Sequence, residues 1–116
     1  MGCICIVDDN PVIALQLQRA VAAAGFEDAW AFQAPERALE HCREHPTDVV
    51  LVDYSMPRMD GVSFVRELHS HAGTRDIAVA LVSGRSPSEF KTAAYDAGAL
   101  DVLVKPVMPA ELRLKI

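Results

Sequence analysis

Hydrophobic and polar positions along the chain fall into two alternating rhythms. Unbroken apolar runs, several rich in β-branched residues, occupy Cys3–Val7 and residues 49–52, 77–82 and 102–104, with a further short candidate at Asp28–Phe32. Runs of this length without a polar break suit strands buried on both faces, as in a parallel sheet. Between them apolar residues recur at helical spacing. The first such set is Ile13, Leu17, Ala20, Val21 and Ala24; the second is Ala38, Leu39 and Cys42; the third is Phe64, Val65 and Leu68. Phe90, Ala93, Ala94 and Ala97 form a fourth, and Leu112 with Ile116 a fifth.

The punctuation agrees with the rhythm. Asn10-Pro11 supplies an N-cap and a first-turn proline, and Gly25 can close the helix that follows. Pro35 opens the second helix, which ends before Pro46; the third follows Gly61. Ser86-Pro87-Ser88-Glu89 reads as a capping box with proline in the first turn, and Gly98 closes the helix that it opens. Pro109 starts a last helix of barely two turns. So short a helix is marginal, which leads us to expect a last helix cut short and a chain that is part of a longer protein. Strand and helix thus alternate five times. Alternation of this kind predicts one α/β domain over residues 1–116, a parallel sheet with helices on both faces and right-handed crossovers.

Composition narrows the class. The chain is 51% hydrophobic and 23% charged, as soluble globular proteins are. No apolar stretch approaches the roughly 20 residues of a membrane span, and the N-terminus lacks the pattern of a secretory signal. The net charge of −5 argues against a grip on nucleic acid, which needs clustered Lys and Arg. Cys3, Cys5 and Cys42 are odd in number and lack CxxC spacing, which suits reduced thiols in a cytoplasmic protein.

The chemistry stands at the strand ends. Asp8 and Asp9 follow the first strand, Asp53 the third, Ser83 the fourth and Lys105 the fifth. In a parallel sheet these ends share one edge, where open α/β sheets place their ligands. Three crowded carboxylates repel unless a cation joins them, and all-oxygen ligands favour a hard divalent ion such as Mg²⁺. An ion, a lysine and a hydroxyl together make a receptacle for a phosphoryl group, leaving one carboxylate as nucleophile. Asp53 is central, at the head of the loop that runs through Pro57 to Asp60-Gly61.

Val-Asp-Asp at 7–9, Val-Asp at 52–53 with Met56-Pro57 and Asp60-Gly61, Ser83-Gly84, Ala97-Gly98-Ala99 and Lys105-Pro106 occur in order, each major site residue at a strand end. In this set the chain resembles, over essentially its whole length, the receiver domain of two-component response regulators. The resemblance implies a flavodoxin-like (CheY-like), doubly wound five-stranded parallel sheet of order 2-1-3-4-5. It implies that Asp53 accepts a phosphoryl group from a phosphohistidine of a sensor histidine kinase or phosphotransfer protein. Asp9, Asp53 and the Ser55 backbone carbonyl would bind Mg²⁺ (or Mn²⁺) directly, and Asp8 through water. Ser83 and Lys105 would hold the phosphoryl oxygens, and the Lys105-Pro106 bond is expected to be cis. A cytoplasmic switch is implied rather than an enzyme acting on other molecules. Its partners would be an output domain or effector protein, and a dimer that forms on phosphorylation.

The chain departs from the family where receivers often carry an aromatic residue, three positions before the lysine; here it is Val102. Valine is short and stiff at χ1 and cannot swing between surface and interior as a ring can. Signal output is therefore expected through the loop 84–88 and the start of the next helix, with Arg85 pairing with the phosphoryl group or with the neighbours of Asp53 and so tying that loop to the phosphorylated state. Arg85 and Ser55 should border the site's mouth. His69 and His71, at i and i+2, do not face each other on a helix and read as surface histidines. His41 and His45 share a helix face without an evident third ligand, and read as structural. Met56, Met59 and Trp30 read as packing. Two other classes are consistent with parts of the pattern. One is a docking or dimerisation module that is not phosphorylated, against which the complete Asp, Ser and Lys set argues. The other is an aspartyl-phosphate phosphatase of the haloacid dehalogenase type, whose motif has a second acid where this chain has Ser55.

Overall fold

A computed structural model describes residues 2–84 and 87–115. Five strands alternate with five helices: β1 (Cys3–Val7), α1 (Pro11–Ala23), β2 (Asp28–Phe32), α2 (Pro35–Glu44), β3 (Val49–Asp53), α3 (Gly61–His69), β4 (Ala78–Ser83), α4 (Lys91–Ala97), β5 (Asp101–Val104) and α5 (Pro109–Lys115). All the strand pairs are parallel, in the order β2-β1-β3-β4-β5. This is the doubly wound arrangement expected from the sequence.

Period-two alternation divides each central strand between two cores. Cys5, Val7, Val50, Val52, Val79 and Leu81 face the core shared with α2, α3 and α4. Ile4, Ile6, Val49, Leu51, Ala80 and Val82 face the core shared with α1 and α5. The unbroken apolar runs have this cause: with helices on both sides, no strand position can be polar until the strand ends. Asp53 is the first polar position of β3, at its last residue, and Ser83 stands in the same place in β4.

The predicted caps are in place. The Asn10 side chain accepts from the Val12 and Ile13 amides at 2.9 and 3.3 Å. Asp60 caps α3 by accepting from the Ser63 amide at 2.8 Å. Gly98 ends α4 at φ +108°, a conformation that favours glycine. Cys5 and Cys42 are buried free thiols. The neighbouring Cys42 thiol, with burial added, pushes the Cys5 thiol up and keeps it protonated.

Three local expectations differ. The segment 87–89 is a 3-10 turn, and the α-helical ladder begins only at Lys91 with Phe90 at its N-cap. Ser86 of the expected capping box lies outside the described residues, as do Arg85 and Ile116. Trp30 is 48% exposed on edge strand β2, with its ring 5.0 Å from that of buried His41, which in turn stacks on His45 at 4.5 Å. It packs, but on the surface. His69 is not a free surface histidine. Its Nε2 lies 2.9 Å from the Ile77 carbonyl oxygen and its Nδ1 3.4 Å from that of Ala97, so it joins the end of α3 to the approach to β4 and the end of α4.

Candidate functional site

The carboxyl ends of β1, β3, β4 and β5 border a cleft of about 330 Å³ lined by Asp8, Asp9, Asn10, Ile13, Asp53, Tyr54, Ser55, Ser83, Gly84 and Lys105. The site residues expected from the sequence, Asp8, Asp9, Asp53, Ser55, Ser83 and Lys105, are all in this wall; Arg85 lies outside the described residues. The three-residue link from β1 to α1, Asp8-Asp9-Asn10, sets the first side. Asp8 is buried, and its Oδ1 accepts from the Asn10 amide at 3.0 Å, which fixes the carboxylate. Asn10, not an acid, caps α1, so Asp8 and Asp9 are not needed there. Asp9 is exposed at the mouth.

Asp53 is 5% exposed at the end of β3. The chain turns sharply after it, with the Tyr54 amide donating to the Val82 carbonyl at 2.9 Å and the Gly61 amide donating to the Tyr54 carbonyl at 2.8 Å. Gly61 is required by this closure: a Cβ there would stand 2.8 Å from the Asp53 carbonyl oxygen and 2.9 Å from Tyr54 Cα. On the far side the Lys105 amide donates to the Ser83 carbonyl at 2.7 Å, which sets the strand end that carries the lysine. The Lys105-Pro106 bond is cis, as the resemblance implies.

Lys105 Nζ lies 2.9 Å from Asp53 Oδ1 and 3.2 Å from Asp8 Oδ2. Burial pushes the Asp53 carboxyl above its ordinary range; the Lys105 bond opposes this, and the charges of Asp8 and Asp9 add to it. Burial works against the Lys105 charge, but the bonds to Asp53 and Asp8 and their fields outweigh it and hold the ammonium above its ordinary value. Among the described residues, one cation thus faces three acids. Asp8, Asp9 and Asp53 can bring oxygen atoms within 4.8 Å of one another. An all-oxygen set with surplus negative charge fits a hard divalent cation.

Sequence reasoning missed one feature of this wall. The Tyr54 ring stacks face to face on that of Phe90, with centroids 3.8 Å apart and planes within 6°. The only signal in the chain is an aromatic residue directly after the central acid.

The chain matches the family model described as "Response regulator receiver domain" over residues 4–116. It is 36% identical over 113 residues to the cyclic di-GMP phosphodiesterase response regulator RpfG of Xanthomonas campestris pv. campestris, covering 97% of this chain and 30% of that protein. It is 38% identical over 111 residues to the transcriptional regulatory protein PrrA of Mycobacterium tuberculosis, covering 96% of this chain and 46% of that one. The chain therefore spans less than half the length of these curated relatives. Among solved structures, a sensor protein from Polaromonas sp. JS666 superposes with a TM-score of 0.89 at 30% identity, covering 98% of this chain and 91% of that one. The chain belongs to the response regulator receiver domain family.

Proposed function

We propose that this receiver domain is a switch thrown by phosphorylation of Asp53. The observation that carries the reading is the placement of Asp53: a buried carboxylate 2.9 Å from an ammonium, beside two further acids, in an open cleft. The donor is a phosphohistidine of a sensor histidine kinase or phosphotransfer protein. A carboxylate oxygen of Asp53 bonds to phosphorus as the bond from phosphorus to the donor nitrogen breaks, leaving an acyl phosphate. Asp9, Asp53 and the Ser55 carbonyl would hold Mg²⁺ or Mn²⁺, with Asp8 acting through water. When bound, the ion supplies positive charge to the phosphoryl oxygens. Lys105, already at the acid it serves, gives a charge-assisted hydrogen bond to the same group, and Ser83 donates its hydroxyl.

The phosphorylated and free states then differ in which conformation is populated, and partners read the difference. Those partners are an output domain or effector protein, or a second phosphorylated copy. The domain is a cytoplasmic switch rather than an enzyme with substrates of its own. Among the described residues no helix is long and apolar enough to cross a membrane, and the net charge of −5 is against direct nucleic-acid contact. Labelling by acetyl phosphate tests the reading. Labelling should need Mg²⁺, stop in excess EDTA and fall strongly in Asp9→Ala; equal rates in Mg²⁺ and EDTA would refute it.

A further inference from the structure

Val102 leaves open how a change at Asp53 reaches the surface. It is buried in the same core as Phe90, with no ring to swing. The Tyr54–Phe90 stack lies where such a link is needed. Tyr54 follows Asp53 directly, lines the cleft, and is held by backbone bonds to β4 and to the start of α3. Phe90 is 7% exposed and is the N-cap of α4; its carbonyl accepts from the Ala94 amide at 2.9 Å in the first turn. One ring is therefore fixed to the phosphoacceptor's loop and the other to the helix that begins beyond Ser83. The α-ladder starts at Lys91, after Phe90, so the ring occupies the joint between loop and helix.

We propose that Tyr54 and Phe90 are a positioning pair that clasps the start of α4 to the phosphorylation loop in the unphosphorylated state, and that phosphorylation shifts the clasp to move α4. This rests on Asp53 being the phosphoacceptor. As the resemblance implies, a Ser83 hydroxyl drawn toward a phosphoryl group on Asp53 moves the end of β4, and α4, with Phe90 at its N-cap, is the next helix along the chain. Tyr54 is held by its two backbone bonds and does not follow. The stack stands beside a direct 2.9 Å contact of Lys105 with the Asp53 carboxylate, the contact that a phosphoryl group on Asp53 would take over, and it therefore stabilises the resting conformation. By linkage, removing it tightens any ligand that favours the other conformation.

The test is beryllofluoride, a phosphoryl mimic, titrated with Mg²⁺ into the wild type, Tyr54→Leu, Phe90→Leu and Tyr54→Phe while the amide resonances of α4 are followed. The leucine variants keep apolar volume and lose the face-to-face stack; Tyr54→Phe keeps it. Face-to-face ring contacts of this kind predict roughly 2- to 12-fold tighter binding in either leucine variant. No further gain is expected in the double variant, because the two residues act as one contact. Tyr54→Phe should match the wild type. The α4 amides of the leucine variants should lie part-way toward their bound positions before ligand is added. A purely structural role would lower the melting temperature without tightening binding. Tyr54 is only partly buried, so Tyr54→Leu can be measured even if Phe90→Leu folds poorly. Equal or weaker binding in Tyr54→Leu, with a wild type that binds and shifts α4, overturns the clasp alone. A wild type that takes up no beryllofluoride overturns the phosphoacceptor reading and the clasp with it.

Discussion

The Lys105 ammonium stands 2.9 Å from Asp53 Oδ1 and ties the end of β5 to the end of β3. It also reaches Asp8 Oδ2 at 3.2 Å, so one side chain compensates two buried acids from different strands. Lys105→Ala should therefore do more than weaken phosphoryl binding. Without the ammonium, the buried carboxylates of Asp8 and Asp53 repel with no cation between them, and the fold should lose roughly 2 kcal/mol at neutral pH. Mg²⁺ should restore most of that loss. Urea unfolding in EDTA and in Mg²⁺ checks this; a loss that Mg²⁺ leaves unchanged would mean that the lysine stabilises through packing alone.

Asp53→Asn should stabilise the fold in the absence of metal. The Asp53 carboxyl titrates above its ordinary value of 3.8, so above 3.8 the folded chain holds more protons than the unfolded one. Stability then falls as pH rises through that window, and at neutral pH the buried charge is a net cost. The asparagine variant should melt a few degrees higher near neutral pH, and its advantage should shrink as pH falls toward 3.8. Thermal melts across pH in EDTA measure this, and an advantage that grows on acidification would contradict it.

Gly98→Ala should be costly for two separable reasons. The position has φ +108°, and an added Cβ would stand 2.5 Å from His69 Nδ1 and 2.9 Å from Cε1. The expected loss is about 1–3 kcal/mol. Gly25 has nearly the same backbone angle, +106°, but nothing within 4 Å of an added Cβ. Gly25→Ala should thus lose only the backbone part, and the difference between the two melts isolates the contact with His69.

The strands and the acids at their ends were legible because burial on both faces forbids polar residues until a strand stops. Val49 to Val52 followed by Asp53 shows this directly. Asn10, Gly25 and Gly98 were legible because capping and left-handed geometry select residue types locally. The order of the strands came from resemblance, since alternation alone does not say which strand neighbours which. What could not be read depends on contacts between distant residues. Tyr54 and Phe90 meet only once β3 and α4 are in place, and His69 is anchored by carbonyls from two other segments. The late start of α4 belongs here too: residues 87–89 form a 3-10 turn, and the helix begins only after Phe90, whose ring meets Tyr54 from another element.

The central claim is that Asp53 carries the phosphoryl group, and its most direct test is chemical trapping. Wild-type protein is incubated with acetyl phosphate and Mg²⁺, reduced with borohydride to convert the acyl phosphate, and mapped by mass spectrometry. The account predicts a single modified residue, Asp53, and no modification in Asp53→Asn. Label on Asp8, Asp9 or another residue of the wild type, or undiminished label in Asp53→Asn, would contradict it.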